Sequence, residues 1–149
     1  MTTTIPSQPH THLGRRVGLG TAGALVSASA FGGAVGLATG TLGLPARMEA
    51  RLPFHSPVAG GIALALVVGV PFATVAALAF RGDDRAELAS LVAGLLLVGW
   101  IAVELLWVRE LSFLQPTFAV IGAAFALAGR RAWPALRRLL ARGLDGPSA

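Results

Sequence analysis

The chain has 149 residues, 54% of them hydrophobic and only 13% charged, with twelve basic residues, all arginine, against seven acidic ones. An aqueous domain carries about 25% charged residues, and a chain this short has too much surface per unit volume to hide so much apolar material from water; a bilayer fits this composition. The lack of cysteine excludes disulfides, thiolate metal sites and cysteine nucleophiles, and the net charge of +5 does not argue for nucleic acid, because the arginines flank long apolar runs, as membrane insertion requires.

Residues 1–16, ending in Gly14-Arg15-Arg16, are polar and without apolar periodicity, and read as a disordered tail. His10 and His12 lie in it, and two histidines without further ligands hold a metal only weakly. From Val17 to Leu44 no residue is charged, which exceeds the roughly 20 residues needed to cross hydrocarbon and predicts a first span over about 17–42. Arg15-Arg16 followed by Ala28-Ser29-Ala30 also has the look of a secretory signal. A signal's apolar region ends after about 7–15 residues, whereas this run continues, so the segment is read as a retained span.

Pro45, Arg47, Glu49, Arg51 and Pro53 make residues 43–56 a loop. Ser56-Pro57 then opens a second span, with serine as N-cap and proline at the first helical position, where its missing N–H costs nothing. This span runs over 57–80 and stops at Arg81-Gly82. The third, over 85–108, follows so closely that the two must form an antiparallel hairpin. Asp84 with Glu87 three residues on matches a capping box at its start. The fourth, over 112–129, has Pro116 in its first turn. Beyond it, Arg130, Arg131, Arg137, Arg138 and Arg142 fall on one side of a helical wheel, with Trp133, Leu136, Leu139 and Leu140 opposite. That pattern predicts a short amphipathic helix lying on the membrane, its cations against anionic lipid within a basic tail over 130–149.

The arginine distribution sets the orientation: nine fall on one side and three on the other if both termini are cytoplasmic. Small residues recur every fourth position at Gly20, Ala24, Ala28, Gly32, Gly36 and Gly40 in the first span. Gly61, Ala65, Gly69, Ala73 and Ala77 do so in the second, and together they predict close packing of these two helices. Sixteen of the twenty-seven residues from Val17 to Gly43 are Gly, Ala or Ser, so such a register also arises readily by composition. Pro71 removes the hydrogen bond to the Val67 carbonyl and should kink the second helix, eased by Gly69.

Glu104 is the one ionisable residue inside a predicted span, where a carboxylate at the bilayer centre costs about 2.5–3.5 kcal/mol. It lies close to Arg109, near the interface, and Arg47, Arg51 or Arg109 could reach it. Trp100, Glu104 and Trp107 share a helix face by spacing, as packing, as an aromatic-lined cation site or as a quinone contact. No Ser-His-Asp arrangement, metal-ligand spacing or phosphate-binding glycine loop is present, and no cofactor is expected.

The stretch Leu95-Leu-Leu-Val-Gly-Trp100-Ile-Ala-Val-Glu104-Leu-Leu, with Leu111-Ser-Phe-Leu-Gln115-Pro116 and Gly122, resembles a family of small four-helix bacterial integral membrane proteins that has no established activity. The resemblance implies four spans and transfers no catalytic residue. The sequence therefore predicts an all-α, four-helix transmembrane domain with a short C-terminal interfacial helix, multi-pass in the cytoplasmic membrane, with other membrane subunits or its own copies as partners. Three functions fit: a non-enzymatic accessory or structural subunit; a small oligomeric transporter or channel using Glu104; or a quinone-binding oxidoreductase subunit.

Overall fold

A computed structural model describes residues 10–41, 56–108, 114–134 and 136–138. Among them there are helices and turns and no strand. Helix α1 spans His10–Thr39, α2 spans Pro57–Phe80, α3 spans Arg85–Val108, and α4 spans Leu114–Ala128. A single 3-10 turn, Arg130–Ala132, follows. Three of these helices are long and apolar enough to cross a membrane. The fourth, α4, has 15 residues, about 22 Å at 1.5 Å per residue, which is shorter than the 112–129 span expected; residues 112 and 113 lie outside the described residues. Residues 10–16, expected as part of a disordered tail, instead extend α1 to 30 residues. At about 45 Å it is longer than a hydrocarbon layer of roughly 30 Å.

The helices pack in chain order, α1 on α2, α2 on α3 and α3 on α4. The side-chain distribution inverts that of a water-soluble domain. Leu25, Val35, Leu66, Leu106 and Val120 point outward at 62–77% exposure, while Ala30, Ala34, Ala76, Ala79, Ala86 and Ala93 are buried. Larger groups are buried mainly in one cluster, where Phe72 and Phe125 meet edge to face with ring centroids 4.8 Å apart and Val26, Val68, Val75, Leu97 and Ile101 close around them. Without a hydrophobic drive between helices in lipid, small residues that let backbones approach are what such packing uses.

Two seams show this. Between α1 and α2, a Cβ on Gly23 would stand 3.2 Å from the Phe72 carbonyl oxygen, and one on Gly61 2.7 Å from that of Ala34. Between α3 and α4, a Cβ on Gly94 would stand 2.5 Å from the Gly122 oxygen and from the Ala126 nitrogen. Gly129 is pressed likewise against the backbone of Glu87 and Leu91.

The expected α1–α2 contact is present, but of the four-residue register of α1 only Gly20 and Gly36 are buried. Gly32 faces open space, and Ala24 and Ala28 are exposed. Gly40 takes φ +70 and ends the helix, its N–H bonding the Leu37 carbonyl. The reason is geometric: with 3.6 residues per turn, a four-residue step advances about 40° around the axis, so the stripe winds off the contact face. The buried seam is Gly20, Gly23, Ser27, Ala30 and Ala34, whose alternating three- and four-residue steps hold one face. Gly36 is also buried, and its carbonyl accepts from the Thr41 hydroxyl at 3.4 Å. On α2, Gly69 packs against the Phe31 ring at 3.0 Å from its would-be Cβ.

Pro71 is accommodated by a π-helical turn over Ala65–Gly69, in which the Val70 N–H bonds the Ala65 carbonyl. The wider turn moves the preceding carbonyls away from the pyrrolidine ring. Nearby backbone oxygens receive side-chain hydroxyls, Thr74 donating to the Val70 carbonyl at 2.9 Å and Ser27 of α1 to that of Gly69 at 2.9 Å.

The N-terminus of α2 is capped as expected, with the Ala59 N–H donating to Ser56 Oγ at 3.3 Å. Its C-terminus closes in a Schellman turn: Gly82 at φ +71 bonds the Ala79 carbonyl and Asp83 bonds that of Leu78. The capping box expected at α3 is not formed. Asp83 caps instead, accepting from the Arg85 N–H at 2.9 Å, because the carboxylates of Asp84 and Glu87 are engaged by arginines of α1.

Candidate functional site

Antiparallel packing brings the start of α1, the end of α2, the start of α3 and the end of α4 to one end of the molecule. All eight arginines among the described residues belong to these segments or follow them. Arg15 donates to Glu87 Oε1 at 2.8 Å and to the Ala128 carbonyl at 2.8 Å. One guanidinium thus joins α1 to the first turn of α3 and to the last carbonyl of α4, where a cation also meets the negative end of the helix dipole. Arg16 donates to Asp84 Oδ1 at 2.9 Å and covers Gly82, whose would-be Cβ lies 2.8 Å from its Nη1. Arg15, Arg16, Asp84, Glu87 and Arg131, with Leu19 and Ala86 as apolar floor, line a cavity of about 150 Å³ open to the outside.

Arg15, Asp84 and Glu87 were not expected to meet. In the sequence, Arg15-Arg16 reads as a charge signal for insertion and Asp84 and Glu87 as a helix start. Each reading accounts for its residues locally, which leaves no unexplained charge to prompt a search for a partner.

The opposite end holds Glu104. It is half-buried, in register with the inward-facing Leu97 and Ile101 of α3, and its Oε1 accepts from the Trp100 indole N–H at 2.7 Å. Trp100 itself packs against the apolar core. Trp107 belongs to the last turn of α3. Arg109, like Arg47 and Arg51, lies outside the described residues, so a pairing of Glu104 with any of them does too.

Of the expected lipid-facing arginines, Arg130, Arg137 and Arg138 are exposed, and Arg138 Nε donates to the Pro134 carbonyl at 3.3 Å. Arg131, though exposed, also lines the cavity beside Arg15 and Arg16. The segment begins as a 3-10 turn, and Arg142 lies outside the described residues.

Two buried serines serve the backbone of neighbouring helices. Ser27 bonds across to α2, and Ser90, fully buried on α3, donates to the Phe125 carbonyl of α4 at 2.8 Å. Among the described residues no buried side-chain nitrogen or oxygen lacks a hydrogen bond, and no group of three or more His, Asp or Glu is placed to hold a metal. No protein family, curated protein or solved structure matches this chain.

Proposed function

We propose that this chain is a non-enzymatic accessory or structural subunit of the cytoplasmic membrane, a four-helix transmembrane bundle with both termini in the cytoplasm. The observation that carries the reading is how the interior polar groups are used: Ser27 and Ser90 bond carbonyls on neighbouring helices, while glycine and alanine fill the seams. These are the devices of a packed scaffold. α4 crosses as the shortest helix, with local bilayer thinning absorbing the mismatch. The arginine end is cytoplasmic under the positive-inside rule.

Two experiments test this. The chain is free of cysteine, so single cysteines at Gly14 and Thr41 report sidedness on a clean background. Labelling of Gly14→Cys from the periplasmic face of intact cells would overturn the orientation. Mild-detergent purification from native membranes should recover a partner subunit in fixed proportion, and a chain recovered alone as a monodisperse monomer would count against the accessory role.

A second reading is favoured by the Trp100–Glu104 hydrogen bond: a small oligomeric transporter or channel in which Glu104 is the proton or cation site. Replacing Glu104 by Gln and measuring proton-coupled flux in liposomes decides it, since unchanged flux removes Glu104 from any such mechanism.

A further inference from the structure

We propose that the cavity at the arginine end binds a phosphate group, and that at this depth its source is the headgroup of an anionic phospholipid. The inference rests on the membrane reading above.

Four observations converge on it. The cavity of about 150 Å³ has room for roughly five water molecules, enough for a phosphodiester and part of its glycerol. Its lining is three guanidinium groups against two carboxylates, which leaves one positive charge. That charge resides with Arg131, which makes no ion pair among the described residues, so its planar fork of donors is free for phosphate oxygens. Asp84, the partner of Arg16, has a side chain 97% exposed. An exposed pair of this kind is weak, so a phosphate can take over part of Arg16 as the carboxylate swings into water.

The surroundings suit a lipid better than a free anion. Leu19 and Ala86 give the cavity an apolar floor. Below it, α1 and α4 do not pack along their length, and the Arg15 bond to the Ala128 carbonyl bridges them at the top. An acyl chain descending from a headgroup held at Arg131 would run along the line between these two helices. Diffuse attraction of the basic tail for an anionic surface would not single out any one arginine. A cavity does.

The full chain, purified in a neutral detergent, is titrated with short-chain phosphatidylglycerol, short-chain phosphatidylcholine and inorganic phosphate, with binding read by native mass spectrometry and by the shift in thermal unfolding. Phosphatidylglycerol should bind in preference to phosphatidylcholine. R131Q should weaken it about tenfold, the loss of one charge-assisted contact, while R137Q, an equal charge change on an exposed arginine outside the cavity, leaves it unchanged. R131K, which keeps the charge and loses the fork, should fall between. Equal losses in R131Q and R137Q, or equal binding of the two lipids, would overturn the site. Displacement of phosphatidylglycerol by inorganic phosphate at matching concentrations would overturn the lipid as its source. Unfolding of R131Q without lipid at the wild-type temperature shows that the fold is intact. Membrane residence is checked separately by alkaline extraction: a chain that stays with membranes yet does not discriminate the lipids sinks this inference alone.

Discussion

Gly94→Ala measures how closely α3 and α4 approach. The added Cβ would sit 2.5 Å from the Gly122 carbonyl oxygen and the Ala126 nitrogen and 3.0 Å from the Ala126 Cα. All three are backbone atoms, so no rotamer change relieves the clash. Restoring ordinary contact needs a separation of about 1 Å, and a gap of that size forfeits a quarter to a half of each dispersion contact along the seam. Overpacking of this kind costs about 1–3 kcal/mol. Gly99 provides the control on the same helix, because a Cβ there meets nothing within 4 Å. Gly99→Ala should stabilise by about 0.5–1 kcal/mol through helix propensity alone. The same chemical change, five positions along one helix, should therefore act with opposite signs and differ by roughly 1.5–4 kcal/mol. Unfolding in mixed micelles of rising dodecyl sulfate fraction, followed by tryptophan fluorescence, reads this difference. If the two variants unfold together, the backbone contact between α3 and α4 does not exist.

Three further outcomes follow from the same contacts. Ser90→Ala should cost only about 0.6 kcal/mol, the usual value for an interhelical bond in a membrane, because the Phe125 carbonyl keeps its bond from the Gly129 N–H; a loss above about 2 kcal/mol would mean that this oxygen had been left bare. Arg15→Gln should destabilise more than Glu87→Gln by about 0.5–1.5 kcal/mol, since only the former also releases the Ala128 carbonyl. A double-mutant cycle should assign the ion pair itself under about 1 kcal/mol and show it weakening with salt. Gly82→Ala should cost about 1–2 kcal/mol, as its φ of +71 is a left-handed conformation that a Cβ opposes; thermal unfolding in detergent would reveal an unexpected neutral result.

The apolar spans were legible from residue order because they depend on local quantities: length, hydropathy and the charges and caps that end them. Ser56-Pro57 and Arg81-Gly82 each carry their own signal, and α2 begins and ends there, whereas α1 begins at His10, well before the apolar run that opens at Val17. Which face of α1 packs was not legible. A helix with Gly, Ala or Ser at fifteen of its thirty positions offers several small-residue stripes, and the backbone path of α2 selects the one at Gly20, Gly23, Ser27, Ala30 and Ala34. Pro71 announced a disturbance, but the π turn that absorbs it depends on how α1 and α3 fix the flanking residues.

Residue order by itself determined three helices long and apolar enough to cross a membrane and the ends of α2, since transfer free energy and capping act within a few residues. Tertiary structure alone decided that Arg15 and Arg16 meet Glu87 and Asp84 across about seventy positions of chain, that Gly94 faces Gly122, and that Arg131 lines a cavity. Those pairings come from the packing angle and register of whole helices. Such quantities have no local signature, because a charge or a glycine reads the same in sequence whatever later comes to lie beside it.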